Sequence, residues 1–266
     1  MEITNVIFQT SSLPALITFY RNVLELPTAI TSINKITIGI GSTELVFEQV
    51  DGADPFYHFA INIPSNKIEE AKAWLAQRTK LIWMEDYKSE VADFKNWHAK
   101  SVYFFDPAGN ILELIARFDL DNKSDAPFSS VQFLSVSEAG LVLREGEWDK
   151  TTNNLLQEYH LNYFDKQPPL PQFEAIGDDE GLFIVVPEKR NWYPTSKPCG
   201  IFPMEVQFGN EGKEYTLTAL GLSRIHIIVL LSPSMIKTWL SFNVMVSYPS
   251  IISSWLVSAA PFSKSG

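Results

Sequence analysis

The chain has 266 residues, 45% hydrophobic and 20% charged, an ordinary globular balance that supplies one large core or two small ones. Its net charge of −10 argues against nucleic acid as a partner, because a phosphate backbone attracts a basic face. A lone cysteine, Cys199, excludes an intrachain disulfide and a cysteine-rich zinc site; with an N-terminus that has no basic start or apolar run, this fits a cytoplasmic protein.

In chain order, Ile3 to Thr10 alternates as a strand, with Ile3, Asn5, Ile7 and Gln9 on one face and Val6 and Phe8 on the other. Ser11 and Ser12 suit helix capping and Pro14 a first helical turn. Leu16, Phe19, Tyr20, Val23 and Leu24 then form one apolar helical stripe. Short strands are predicted near Thr28–Ile33, Lys35–Ile40 and Thr43–Gln49, the last two joined at Gly41-Ser42. The same order returns after Phe56. Tyr57, Phe59, Ile61 and Ile63 form one face of a strand and His58, Ala60 and Asn62 the other. Ile68, Ala71 and Leu75 stripe a helix whose first turn carries Glu69 and Glu70, where the helix dipole favours acids. Strands follow near Leu81–Glu85, Ser101–Phe105 and Ile111–Ala116, with 86–100 a polar loop. Residues 1–118 therefore read as a βαβββ unit used twice, and Asn5 and His58 occupy equivalent positions.

Residues 119–129 are polar and turn-rich and read as a linker. Across 130–218 the predicted elements are strands at Val131–Val142, Phe173–Ile176, Gly181–Val186 and Ile201–Phe208 and a helix at Thr151–His160, a third βαβββ-like unit. Asp178, Asp179 and Glu180 lack EF-hand spacing and read as a solvated turn. After Glu214 the chain has no acid, and Thr238 to Ser263 carries no formal charge. That length suits a membrane span, but its many serines, Asn243 and Pro249 argue against one. The segment 219–266 reads as an atypical apolar tail, either docked on the body or foreign to the fold.

The stretch SVYFFDPAGNILELIAR, residues 101–117, places Glu113 among Ile111, Leu112, Leu114 and Ile115. A carboxylate in such a strand is costly unless it is paired or binds a cation. His58, Lys100 and Arg117 are candidate partners. Together with ITNVIFQTSSLPALITFYRNVLEL, this motif resembles the vicinal oxygen chelate superfamily, which includes glyoxalase I, extradiol dioxygenases and fosfomycin- and bleomycin-resistance proteins. The resemblance implies an α+β fold in which paired βαβββ modules form curved mixed sheets around a cleft. It also implies a divalent metal (Fe, Mn, Zn or Ni) and a small-molecule ligand. His58 matches a metal-binding His and Glu113 the metal-binding, catalytic Glu of the family motif. Asn5 stands where metal-dependent members commonly carry another His. Glu44 and Glu48 lie on one face of the first module's last strand, and Glu48 is the preferred third ligand. Trp97, His98 and Tyr103, with Asn5, are candidate substrate-binding residues. Two functions follow: a metal-dependent lyase, isomerase or dioxygenase, or a metal-free binding or resistance-type protein in which His58 and Glu113 hydrogen-bond each other. An odd number of modules leaves one sheet face needing a mate, which a homodimer or packing against the first domain supplies.

Overall fold

The first strand, β1 (Glu2–Thr10), buries Ile3, Val6 and Phe8. Strict alternation puts Ile3 on the other face, but an irregularity between Ile3 and Asn5 shifts the register against its neighbour. An extra residue there reverses the facing of everything before it, so Ile3 joins the core. The computed structural model describes residues 1–220 and 225–228, all within one compact unit. Among them no helix is long and apolar enough to cross a membrane.

The first unit continues with a short helix, α1 (Leu13–Thr18), whose backbone runs on as a π-helical turn over Phe19–Val23. Ser12 sits at the N-cap without a side-chain capping bond, and Ser11 instead donates to Asp54. Strands β2 (Thr28–Ser32), β3 (Lys35–Ile40) and β4 (Thr43–Gln49) follow. β4 returns to lie parallel to β1, a geometry that needs a crossover, here supplied by the helical segment and the β2–β3 hairpin.

The second unit repeats this with β5 (His58–Ile63), α2 (Ile68–Ala76), β6 (Ala92–Phe94), β7 (Ala99–Phe105) and β8 (Ile111–Arg117). The strand expected at Leu81–Glu85 reduces to isolated bridges, Leu81 to Phe104 and Met84 to Ser89. β6 forms inside the expected loop, because Ala92 and Phe94 face a local aromatic cluster. The Asp-Pro-Ala-Gly-Asn turn joins β7 to β8 and fastens the two units together. Buried Asp106 accepts from the backbone of Ala108 and Asn110 and from the Tyr20 hydroxyl at 2.9 Å, while Asn110 accepts from the Tyr57 amide.

The remaining strands are β9 (Ser135–Leu143), β10 (Glu174–Asp178), β11 (Gly181–Pro187), β12 (Pro203–Asn210), β13 (Lys213–Leu220) and β14 (Ile225–Ile228), with α3 (Trp148–Gln157) after β9. They do not form one closed third unit. β9, β10 and β11 extend the second sheet, in the order β10-β11-β9-β5-β8-β7-β6. β12, expected beside them, crosses to the first sheet, in the order β14-β13-β12-β1-β4-β3-β2. The exposed edge of β1 explains the crossing: β12 satisfies its backbone groups and buries Met204, Val206 and Phe208 on the core side. Beyond Leu220 and β14, the apolar tail lies outside the described residues.

One apolar core joins the two sheets. Phe8 stacks on Tyr57 at 4.0 Å between ring centroids and lies 5.6 Å from Phe59. β5 is buried along its whole length, as befits a central strand, and sends Phe59, Ile61 and Ile63 into this core. Its other face, with His58, Ala60 and Asn62, is thereby freed for the cleft.

The β3–β4 turn packs tightly on the backbone before β9. Gly41 has φ +54°, and a Cβ there would fall 1.9 Å from the Leu134 carbonyl oxygen. Gly52, at φ +75°, has nothing within 4 Å of that position. Gly41→Ala is expected to destabilise by about 2–5 kcal/mol, from left-handed strain plus overpacking. Gly52→Ala carries only the strain, about 1–2 kcal/mol. Paired urea denaturation curves check the difference.

Candidate functional site

β5 has β8 on one side in parallel pairing and β9 on the other in antiparallel pairing. Ala60 lies opposite both Glu113 on β8 and Glu138 on β9. His58, two residues earlier, projects from the same face. The methyl side chain of Ala60 leaves the space between the two acids open. The three ligand-capable atoms, one each from buried His58, Glu113 and Glu138, all lie within 4.8 Å of one another. They are the one such group of three or more His, Cys, Asp and Glu among the described residues.

The local bonding orients the donors. His58 Nδ1 lies 3.1 Å from the Ile111 carbonyl oxygen. A carbonyl only accepts, so this nitrogen carries the proton, and the neutral ring presents the Nε2 lone pair. Nε2 is 3.7 Å from Glu113 Oε2, too far for a hydrogen bond. Metal–ligand bonds of about 2.1 Å place neighbouring donors about 3.0–3.4 Å apart, so the pair needs to close by only a few tenths of an ångström. The donor set of one imidazole and two carboxylates suits a divalent transition metal.

Glu138 is held by a ladder of charges reaching the surface. Arg117, fully buried, donates to Glu138 at 2.5 Å and to Asp179 at 3.3 Å. Asp179 also accepts from Lys166 at 2.5 Å, and Lys166 reaches Asp119 at 2.7 Å. Asp119 in turn lies 2.7 Å from His98 Nδ1. A carboxylate has two oxygens, so Glu138 can accept from Arg117 and still present a donor to the cleft.

Burial sets the protonation of the site. It holds the His58 imidazole down to about 4, keeping it neutral near pH 7. Burial, and then the neighbouring charge of Glu138, push Glu113 up to about 8. Burial also raises Glu138, against the pull of Arg117. For His58, the unfolded chain binds the extra proton between about 4 and 6.5, so stability falls as pH drops through that window. For Glu113, the folded chain keeps a proton that the unfolded chain has lost between 4.5 and about 8, so stability falls as pH rises there. The two oppose each other up to about pH 6.5. From pH 6.5 to 8, with EDTA present, stability is expected to fall by up to about 1.4 kcal/mol per pH unit. Urea curves at three pH values check this, and Glu113→Gln should flatten the slope.

Above the trio opens a cavity of about 290 Å³. Trp97 and Tyr103 line it, with Phe94, Phe173, Trp192 and Tyr193. Tyr103 lies directly opposite Glu113 in the β7–β8 ladder, and the Trp192 ring lies 5.1 Å from that of His58. The bare Cα of Gly140 admits the Trp192 indole, since a Cβ there would fall 2.6 Å from it. Trp97 donates to Gln167 at 3.1 Å, which fixes the indole.

Of the residues singled out in the sequence, His58, Glu113, Trp97 and Tyr103 come together at this cavity. His98 is exposed at the outer end of the charge ladder. Asn5 and Glu48 lie on the first sheet; Glu48 pairs with Lys35 at 2.8 Å, and the Asn5 side-chain oxygen Oδ1 is buried without a hydrogen-bond partner among the described residues. Strand register shows what the first sheet holds instead. Asn5 matches His58, but Val46, opposite Ile7, stands where Glu113 does, and Glu205, also opposite Ile7, stands where Glu138 does. The first sheet thus keeps one of the three donors. Glu138 is the residue missed in the sequence, although SVSEAGLVL carries the same signal as Glu113, a carboxylate in an apolar strand.

No protein-family model matches the chain, and no curated protein does. Solved structures do. A putative dioxygenase from Bacillus subtilis subsp. subtilis str. 168 is 16% identical, with a TM-score of 0.51 over 85% of this chain and 69% of that one. Glyoxalase I from Zea mays is 12% identical, with a TM-score of 0.47 over 83% and 89%. A glyoxalase/bleomycin resistance protein/dioxygenase from Nocardioides is 19% identical, with a TM-score of 0.37 over 47% and 89%. On the likeness to the Bacillus structure, together with its paired mixed sheets, the chain has the α+β fold of the glyoxalase and dioxygenase type.

Proposed function

We propose that the second-sheet cleft is a divalent-metal site of glyoxalase or dioxygenase type that acts on a small oxygen-bearing organic molecule. The observation that carries this reading is the convergence of His58, Glu113 and Glu138 on adjacent strands at the base of an aromatic cavity. The 3.7 Å gap between His58 and Glu113 favours it over a metal-free site, which needs the two to hydrogen-bond each other. When bound, a divalent metal supplies Lewis-acid polarisation of substrate oxygen.

The chain's own groups supply the rest. His58 offers a neutral nitrogen whose direction the Ile111 carbonyl fixes. Glu113 holds a proton near neutral pH in the absence of metal, and binding releases it. Once ionised, this carboxylate at the cavity floor is placed to accept a proton from a bound molecule, with Tyr103 its cross-strand neighbour. Arg117 anchors Glu138 against rotation. The aromatic walls lower the local dielectric, which strengthens the charge interactions inside.

Calorimetric titration of the EDTA-treated protein with Mn(II), Fe(II), Ni(II) and Zn(II) tests the reading. One site per chain with at least micromolar affinity is expected, weakening as pH falls below 8 because Glu113 must lose its proton. No affinity for any of the four refutes the metal reading and leaves a metal-free binding protein.

A further inference from the structure

The cavity walls carry more information than the metal reading uses. Tyr193 lies edge-on to Tyr103 at 5.9 Å and 6.1 Å from Phe94. Phe94 is 6.3 Å from Trp97, and Trp97 is 6.4 Å from Phe173. With Trp192 these rings form a nearly continuous belt around the space above the acids. Rings in contact at such distances favour a further ring, stacked or edge-on, over a flexible aliphatic chain. A void of about 150 Å³ takes benzene, and this one is about 290 Å³, room for a substituted single ring or a fused pair.

Two polar side chains, Arg190 and Tyr193, accompany the rings of the belt. Arg190 lines both this cavity and an adjoining surface groove, so it stands between the two. Its guanidinium lies 5.4 Å from the Phe173 ring, and among the described residues no acid comes within ion-pair distance of it. The buried cation of the region, Arg117, is by contrast already engaged by Glu138 and Asp179. The Tyr193 hydroxyl is buried with no hydrogen-bond partner among the described residues, and Tyr193 is one of the residues that line the cavity; a ligand acceptor that reaches the hydroxyl would satisfy it. At the floor stand two carboxyl groups, Glu138 already paired with Arg117, which offer an anion no free cation, so the anionic end of a ligand belongs at Arg190.

We propose that the cavity takes a planar aromatic anion of one or two rings, its ring inside the belt and its carboxylate or similar group on Arg190, with Tyr193 donating to it. This assignment rests on the cleft being the ligand site proposed above, but not on a metal being bound. Charge-assisted pairing of guanidinium with carboxylate sets acid apart from amide. The belt sets aromatic apart from saturated ring.

Benzoate, 2-naphthoate, their amides and cyclohexanecarboxylate, titrated into the full chain with tryptophan fluorescence and calorimetry as readouts, test it. The aromatic acids are expected to bind at least tenfold tighter than the amides and than cyclohexanecarboxylate. Arg190→Gln, at a half-exposed position without an ion pair among the described residues, should erase most of the acid-over-amide preference while keeping the aromatic preference. Cyclohexanecarboxylate binding as tightly as benzoate overturns the proposal, and so does an acid preference unchanged in Arg190→Gln. Mn(II) binding measured on the same samples separates the two readings. Metal bound without affinity for any aromatic acid overturns this proposal alone. Arg190-dependent acid binding without metal supports it and removes the metal reading; binding of neither overturns both.

Discussion

Replacing Arg117 by methionine is expected to destabilise the protein by about 3–5 kcal/mol at pH 8. Arg117 and Glu138 are 0% and 3% exposed. Removing the guanidinium leaves Glu138 facing a choice between an unpaired buried charge and a proton, and it also releases Asp179 from its inner partner. A chain of this size loses roughly 2–4 °C per kcal/mol, so the melting temperature should drop by about 6–20 °C. The cost should shrink as the pH falls, because burial already raises Glu138 and a proton there removes the charge that Arg117 compensates. Arg117→Met combined with Glu138→Gln should recover most of the loss, since it removes both charges together. Equal instability of the single and double variants would show that Arg117 acts through packing and not by compensating Glu138.

The second large effect falls on metal affinity. Glu138→Gln keeps the shape and an acceptor for Arg117 but removes the anionic donor, and affinity should fall by about 100-fold or more, beyond the 10–100-fold typical of an outer-shell partner. Glu48→Ala, on the other sheet and paired with Lys35, should leave affinity unchanged. Calorimetric titration with Mn(II) compares the two variants. A loss in Glu48→Ala with none in Glu138→Gln would move the proposed site to the first sheet.

Much of this arrangement was legible in residues 1–118. Internal repetition paired Asn5 with His58, and the apolar surroundings of Glu113 demanded a partner. What escaped depended on register and on contacts distant in sequence. Alternation shows that Glu44, Val46 and Glu48 share a face, but only the pairing of Ile7 with Val46 shows which of them sits at the height of Glu113. Glu138 belongs to a strand that joins the site from beyond the linker, so its partnership with Ala60 leaves no trace in local pattern. Arg117 looked like the end of a strand running into that linker, yet its contacts with Glu138 and Asp179 span 21 and 62 residues. The crossing of β12 to the first sheet was hidden for the same reason: Met204, Val206 and Phe208 announce a buried face without naming the sheet that buries it. His98 sits beside Trp97 in sequence, but a left-handed turn at φ 50° sends it to Asp119 and the surface.

The most direct test is anomalous diffraction from crystals of the full chain soaked in Mn(II). A peak is expected bounded by His58 Nε2 and the carboxylates of Glu113 and Glu138, with Arg117 still on Glu138. No peak in this cleft, or a peak on the first sheet near Asn5 and Glu48 in its place, would contradict it.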